Sequence, residues 1–129
     1  MLYAILCYNS EDAIGSWSKE QHAETMTRLH KVHEKLEKQN RIGPVARLLP
    51  TAAATTLRKG REDVVIDGPF AETKEQLLGF YIVDCASLDG AIEVARDLAK
   101  ANPLTGAYEI RPVAQLHESH LPTEKKPAA

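Results

Sequence analysis

The chain has 129 residues, of which 43% are hydrophobic and 26% are charged, and these values are typical of one globular domain with a real core. The net charge is −2 at pH 7, so the basic surplus expected of a protein that binds nucleic acid is absent and we expect no direct nucleic acid binding. No apolar run approaches the roughly 20 residues of a membrane helix, and no signal peptide pattern opens the chain. We therefore expect a cytoplasmic protein that does not contact the membrane.

The N-terminal part of the chain predicts a strand, a loop and a long helix. Leu2–Tyr8 is an almost continuous apolar run, which is typical of a buried strand, and residues 9–17 are interpreted as a loop. Ser18 and Gln21 have the spacing of a capping box, and the helix that they begin is expected to run to about Gln39. Its predicted inner stripe consists of His22, Met26, Leu29, His33 and Leu36.

The middle of the chain predicts four more strands. The first is the short run Val45–Leu49, which a proline ends. Thr55–Arg58 and Val64–Ile66 flank a Lys-Gly-Arg turn and are interpreted as a hairpin. Leu77–Asp84 is strongly apolar and is the next predicted strand.

The C-terminal part predicts a second helix, a last strand and a tail. Ser87 can cap a helix that runs to about Ala101, before Pro103. Its predicted inner stripe consists of Leu88, Ile92, Ala95, Leu98 and Ala99. Ala107–Val113 is the last predicted strand, and residues 117–129 are expected to form a mobile tail after a domain that covers residues 1–116.

The order of these elements predicts an α+β fold, a ferredoxin-like split βαβ pattern with an inserted hairpin. Two helices can cover only one face of the antiparallel sheet. Leu2–Tyr8 and Leu77–Val83 are nevertheless apolar at both alternating sets of positions, so both faces of these strands favour burial. A second copy packed sheet to sheet would cover the remaining face, and we therefore expect a homodimer.

A four-residue turn, Asp67-Gly68-Pro69-Phe70, has strong backbone preferences. Pro69 fixes its own φ and disfavours the α region at Gly68, which can adopt conformations closed to other residues. Asp67 can bond the backbone two residues on, and Phe70 can pin the loop to the body of the protein. A rigid surface turn is one interpretation of this pattern, and close approach to a ligand is the other.

The string Asp67–Glu75 that begins with this turn resembles the signature of the YCII-related proteins, in the branch named for its DGPF motif. Further matching pieces are Met1–Leu6, Ala54–Arg58, Leu77–Asp84 and Tyr108–Val113. The resemblance implies a dimeric α+β barrel. It does not fix an activity, because the family is mostly uncharacterised and a shared fold does not imply a shared function.

Members of the family outside this branch look like enzymes with a His-Asp pair, and the resemblance implies His30 as the matching histidine. The aspartate position, before a proline at the end of the second helix, holds Asn102. Asparagine can orient an imidazole but cannot stabilise its charged form as a carboxylate does. Asp67 is the candidate to replace it in a His30–Asp67 catalytic pair, and His33, near the centre of the apolar stripe, is the alternative histidine.

Candidate ligand-binding residues are Gly68, Phe70, Asn102 and Arg111, the last because an arginine on a strand can clamp a carboxylate. The histidines of the first helix lack a consistent metal spacing, and Cys7 and Cys85 are expected to be buried, reduced thiols, so we expect no metal. No phosphate loop or dinucleotide fingerprint is present, and no cofactor is predicted.

Two functions remain open at this point. The first is a small dimeric enzyme that binds a small organic molecule, aromatic or lactone-like, and moves a proton with His30 or Asp67. The second is a non-catalytic ligand-binding or regulatory module. The resemblance supports the second, because members of this branch are often encoded beside, or fused to, extracytoplasmic-function sigma factors.

Overall fold

A computed structural model describes residues 1–122 of the chain, so the end of the predicted mobile tail, residues 123–129, lies outside the described residues. The fold is α+β, with antiparallel sheets. The strands are β1 (Leu2–Asn9), β2 (Ile42–Arg47), β3 (Thr55–Arg58), β4 (Val64–Asp67), β5 (Gln76–Asp84) and β6 (Ala107–Pro112). The α-helices of this part of the chain are α1 (Glu11–Gly15), α2 (Lys19–Lys38) and α3 (Leu88–Ala101).

The main sheet has four strands in the order β2-β5-β1-β6, so β1 and β5 occupy its centre. All of its pairings are antiparallel, and Ile5 of β1 lies opposite Tyr81 of β5 and Ile110 of β6. The N-terminal ammonium group extends this pairing, because it donates to Asp84 Oδ1 at 3.0 Å.

One face of the main sheet packs against α2 and α3. Tyr3, Ile5 and Val83 belong to the set of alternating side chains on this face and are buried with residues of both helices. The opposite face carries the other alternating set, which includes Leu2, Ala4, Leu6, Phe80 and Ile82. Since the helices pack on the first face, the second face has no helical layer.

Both long helices begin at serine caps, as the sequence predicts. Ser18 Oγ accepts the Gln21 backbone N–H at 3.1 Å, and Gln21 Oε1 accepts the Ser18 N–H at 2.8 Å, which completes the capping box. Ser87 Oγ accepts the Gly90 N–H at 3.3 Å at the start of α3. The two caps satisfy backbone donors that have no partner within the helix.

The buried face of α3 differs from the predicted one. Leu88 is 50% exposed in the first turn, whereas Ala95 and Leu98 are buried as expected. The buried set also includes three residues outside the predicted stripe, Ala91, Val94 and Ala101. Three of the five buried residues of α3 are alanines. A prediction based on large apolar residues does not detect them.

Two further sequence interpretations were wrong in detail. Residues 9–17 are not a continuous loop, because α1 forms within them and the Glu11 N–H donates to Gln76 Oε1 at 3.1 Å. The strand predicted at Val45–Leu49 begins and ends earlier, as β2, and its register shifts between Ile42 and Val45. Pro44 lies in this irregular stretch at the sheet edge, where a residue without an N–H is tolerated.

Strands β3 and β4 form a separate two-stranded sheet, at the positions predicted for the hairpin. The turn after β4 contains Gly68, whose φ of 108° lies in the left-handed region. The Gly68 N–H donates to the Ala54 carbonyl at 2.7 Å, and its carbonyl accepts the Thr56 hydroxyl at 2.8 Å. These bonds tie the turn to the base of the hairpin.

Cysteines 7 and 85 are both free thiols. Within residues 1–122, a helix with the length and apolar character needed to cross a membrane is not found.

The turn residues should differ in their effect on stability. We expect Gly68→Ala to lower the free energy of unfolding by about 1–2 kcal/mol, because a β-carbon is strained at positive φ, although it would meet no atom within 4 Å. Phe70→Leu should cost less, since Phe70 is 76% exposed and has little buried area to lose. Thermal melting compares the two variants.

Gly15→Ala is the matched control, because a β-carbon at Gly15 also meets no atom within 4 Å while its φ is not positive. A Gly68→Ala protein that melts with the Gly15→Ala control would show that the left-handed backbone is not under strain in solution.

Candidate functional site

The candidate site is a cavity of about 860 Å³ between α2 and the helix-covered face of the main sheet. Its floor includes Cys7, Tyr81 and Tyr108. Its walls come from α1, α2, the segment after β2 and the end of α3. The wall residues include Ile14, Trp17, His22, Thr25, Met26, Leu29, His33, Leu48, Leu49, Pro50, Ala99 and Asn102.

The register of the sheet brings the floor together. Cys7 lies opposite Tyr108 on β6, and its neighbour in the same alternating set, Ile5, lies opposite Tyr81 on β5. Gly79, the next residue of this set on β5, has no room for a side chain, because a β-carbon there would lie 2.3 Å from the Ala46 carbonyl oxygen. The absent side chain lets the backbone of β2 approach β5 closely at this end of the sheet.

The helical wall follows from the periodicity of α2. His22, Met26, Leu29 and His33 recur at intervals of three or four residues and therefore share one side of the helix. Leu36, the last residue of the predicted stripe, is buried in the core beyond the cavity. The stripe therefore has two roles: Leu36, near the C-terminal end of α2, fills the core, whereas the residues from His22 to His33 line the cavity.

The titratable groups of the floor are uncharged at neutral pH. Burial raises the pKa of Cys7 to about 12 and, with a smaller contribution from Cys7, raises the pKa of Tyr108 to about 12. Burial likewise raises the pKa of Tyr81, to which Cys7 and Tyr108 add. Cys7 is therefore a thiol and not a reactive thiolate, and the two tyrosines keep hydroxyl groups that can donate hydrogen bonds.

His33 is the histidine whose surroundings favour the neutral ring. Burial lowers the pKa of His33 most, nearby His30 lowers it further, and Glu37 opposes both effects. The ring of His33 meets the ring of Tyr81 edge to face, with centroids 5.3 Å apart. Its Nε2 atom is buried and has no hydrogen-bond partner among the described residues, so the imidazole keeps unused hydrogen-bonding capacity.

His30 and Asp67, the predicted catalytic pair, lie on different elements, and neither lines the cavity. His30 is exposed on α2, and its ring centroid is 6.0 Å from that of His33. Asp67 is exposed at the end of β4, opposite Thr55 in the hairpin. Among the described hydrogen bonds and ion pairs, none joins the two side chains.

The predicted ligand-binding residues are also distributed over several places. Asn102 lines the cavity, and its Oδ1 accepts the Leu104 N–H at 3.3 Å, which holds the chain as it leaves α3. Gly68 and Phe70 lie in the hairpin turn. Arg111 is exposed and pairs with Ala4, on the face of the sheet away from the cavity. Of the predicted site residues, His33 and Asn102 are the two that line the cavity.

Sequence reasoning did not identify Tyr81, Tyr108, Cys7 and Trp17 as site residues. In the sequence, Tyr81 and Tyr108 are interpreted only as strand residues, and Cys7 as a buried, reduced thiol. Their meeting depends on the pairing of Ile5 with Tyr81 and of Cys7 with Tyr108, which no local pattern specifies. Trp17 had been placed in a loop, although a single tryptophan beside a helix cap is a usable signal for a packed aromatic wall. Tyr81 pairs with Ile5 and Tyr108 pairs with Cys7, two residues further along β1. The two tyrosines therefore lie on the same face of the sheet.

The polar residues at the rim are mostly engaged elsewhere. Glu11 is at the rim, but its Oε2 accepts the Thr51 backbone N–H at 2.9 Å. Asn9 is buried and donates to the Thr105 carbonyl at 2.7 Å. Within residues 1–122, His, Cys, Asp and Glu side chains do not gather in threes as a metal ion would require.

Comparison with known proteins identifies a family and a similar protein of uncharacterised function. The model of the YCII-related domain matches residues 1–117. An uncharacterised protein of Rhizobium meliloti (strain 1021) is 56% identical over 124 residues, which span 95% of this chain and 100% of the relative.

The lowered pKa of His33 predicts a specific pH dependence. The unfolded chain binds its proton near pH 6.5, whereas folded His33 binds it only at lower pH, so the unfolded state holds more protons between the two values. Stability that is present above about pH 6.5 should therefore be lost as the pH falls through the folded-state pKa. NMR titration of the five histidines, with denaturant unfolding of wild type and His33→Gln, measures both effects.

Asp67→Asn is the control in this experiment, because Asp67 is not among the charges that act on His33. A His30 or His33 titration curve that moves in Asp67→Asn would show that the predicted His30–Asp67 coupling exists in solution.

Proposed function

The chain belongs to the YCII-related family, and from that premise we propose that it binds a small, uncharged organic molecule in the cavity between α2 and the sheet. The observation that carries the proposal is a large apolar cavity whose inner titratable groups, Cys7, Tyr81, Tyr108 and His33, all favour their neutral forms. The family is of uncharacterised function, so the chemistry of the cavity is the main guide.

The size of the cavity supports a ligand of a few rings at most. Ligand sites typically enclose about 300–1,000 Å³ and combine apolar walls with a few polar groups, and the volume here is about 860 Å³. Trp17 and the two floor tyrosines offer aromatic surface. The tyrosine hydroxyls and the His33 imidazole offer hydrogen bonds that fix the orientation of a ligand.

An anionic ligand fits this chemistry poorly. A carboxylate in an apolar site costs several kcal/mol unless a positive charge or several donors meet it. Arg47 is at the rim and exposed, and His33 favours its neutral form. Phenol-like or lactone-like molecules need no such partner.

We favour a binding or regulatory module over an enzyme. Asn102 stands at the cavity where an aspartate would support a charged imidazole, and it is engaged with the Leu104 N–H. The turn sequence supports membership of the DGPF branch, and with it a cytoplasmic role linked to extracytoplasmic-function sigma factor signalling.

Proton transfer is the second candidate function, and one observation favours it. A neutral imidazole at neutral pH is the protonation state of a general base, and burial holds His33 in that state. His30 and Asp67 could assist only if a second copy or a bound ligand brought Asp67 to α2.

Dimerisation is part of the proposal. The strand order β2-β5-β1-β6 with two crossing helices on one face supports the ferredoxin-like pattern. On the other face Leu6 and Phe80 are only half-buried and have no helical layer, which supports a barrel made by two copies packed sheet to sheet.

Ligand binding can be followed through Trp17, the single tryptophan of the chain, because it lines the cavity. We expect phenol and indole to change its fluorescence at pH 8, and benzoate to bind at least about tenfold more weakly because its charge is not met. His33→Leu should weaken phenol binding by about five- to tenfold, the loss of one hydrogen bond.

His30→Leu is the matched control, since His30 lies on the same helix and does not line the cavity. Equal binding of phenol and benzoate, or equal effects of the two histidine variants, would contradict the proposal.

The dimer should be visible by sedimentation. We expect a mass near twice the chain mass of 14.2 kDa at micromolar concentration, because obligate interfaces bury about 2,000 Å² or more and do not dissociate easily. Leu6→Asp, on the face without a helical layer, should shift the protein to a monomer, whereas Asp89→Asn, exposed in the first turn of α3, should not. A wild-type monomer at these concentrations would contradict a sheet-to-sheet dimer.

A further inference from the structure

The cavity between α2 and the sheet has more room than a single ring requires. Its volume of about 860 Å³ lies near the upper end of the roughly 300–1,000 Å³ of ligand sites, which hold drug-sized molecules. A phenol or indole ring in contact with the floor would leave the part of the cavity towards its opening unfilled. The groups that line this outer part therefore indicate what else the ligand contains.

The floor of the cavity offers hydroxyl groups. Tyr81 and Tyr108 are half-buried there. Among the hydrogen bonds of residues 1–122, none involves either hydroxyl, and neither oxygen belongs to the buried polar atoms that lack a partner. Both hydroxyls can therefore be reached from the cavity and can bond the polar end of a ligand.

The opening of the cavity is lined by exposed apolar side chains. Met26 on α2 is 36% exposed, and Leu48 and Leu49, after β2, are 45% and 73% exposed. Val45 is 44% exposed and lies opposite Tyr81 of β5, so the apolar lining begins directly beside the floor. These four residues are called the apolar opening, and together with the floor they form a continuous surface that has a polar inner end.

The segment that carries Leu48 and Leu49 is held in place at both ends. The Leu48 N–H donates to the Leu78 carbonyl at 2.8 Å, and the Thr51 N–H donates to Glu11 Oε2 at 2.9 Å. The apolar side chains of this segment therefore lie on a fixed backbone. A ligand that contacts them does not have to order a loop, which lowers the entropic cost of binding.

We propose that the ligand is an uncharged amphiphile, with a hydroxyl or carbonyl group at the tyrosine floor and an unbranched aliphatic chain that leaves along the apolar opening. Such a chain covers apolar side chains that a ligand made of rings alone leaves in water. The occupant follows from the polarity of one continuous lining, which is polar at the floor and apolar at the exit. This inference rests on the proposed binding function and names the class of molecule that is bound.

A series of para-alkylphenols, from phenol through the ethyl and butyl compounds to the hexyl compound, tests the aliphatic chain. In isothermal titration calorimetry the dissociation constant should fall about threefold for each added methylene group, close to the value for burial of an apolar group. A dissociation constant that stays the same along the series would overturn the chain and leave the proposed binding of phenol standing. If no member of the series bound, phenol included, both proposals would be overturned.

Two variants test the two ends of the ligand separately. Leu49→Ser, with little risk to folding because Leu49 is mostly exposed, should weaken hexylphenol binding about fivefold and leave phenol binding unchanged. Tyr108→Phe should weaken the binding of every member by the same factor of about five, because it removes a hydroxyl group from the floor.

Leu88→Ser is the matched control, since Leu88 is 50% exposed on α3 and does not line the cavity. Its binding of both phenols should equal that of wild type. A Leu49→Ser protein that binds hexylphenol as tightly as wild type, or a Tyr108→Phe protein that does so, would overturn the proposed orientation of the amphiphile.

Discussion

The antiparallel pairing of β1 with β5 and β6 is the constraint on which the rest of the structure depends. Because side chains alternate along a strand, this one register assigns every residue of the three strands to the helix side or the open side. Ile5 and Val83 lie in the core, Tyr81 and Tyr108 lie on the cavity floor, and Leu6 lies half-buried on the face without a helical layer. A slip by one residue would exchange all of these roles.

The cavity exists because the helical layer covers the sheet unevenly. Leu36 and the alanine-rich face of α3 pack tightly at one end. At the other end, α2 carries His22, Met26, Leu29 and His33, which line open space instead of filling it. Fold and candidate site therefore use the same stripe of α2, and the change from packing to lining happens between His33 and Leu36.

Local signals in the sequence predicted the local structure well. Helix caps and hairpin strands can be predicted from neighbouring residues alone. The structure has the predicted caps at Ser18 with Gln21 and at Ser87, and the predicted hairpin. The helix α1 depends on a distant contact, from Glu11 to Gln76, and no short pattern encodes it. The candidate site is harder still to predict, because Cys7, Tyr81 and Tyr108 come from three strands whose relative register no local pattern specifies. The helical periodicity of the sequence was enough to place His33 on the inner side of α2. That His30 lies outside the cavity could be seen only in the folded structure.

The neutrality of the cavity has a consequence for how its occupancy could be regulated. If an uncharged ligand contacts only the neutral inner groups, and not Glu11 or Arg47 at the rim, its association releases no counterions and moves no protons. Occupancy would then follow ligand concentration and temperature alone, with little response to ionic strength, and would show the negative heat-capacity change of apolar burial. A site of this kind reports the abundance of a molecule faithfully while the salt and osmotic conditions of its surroundings change.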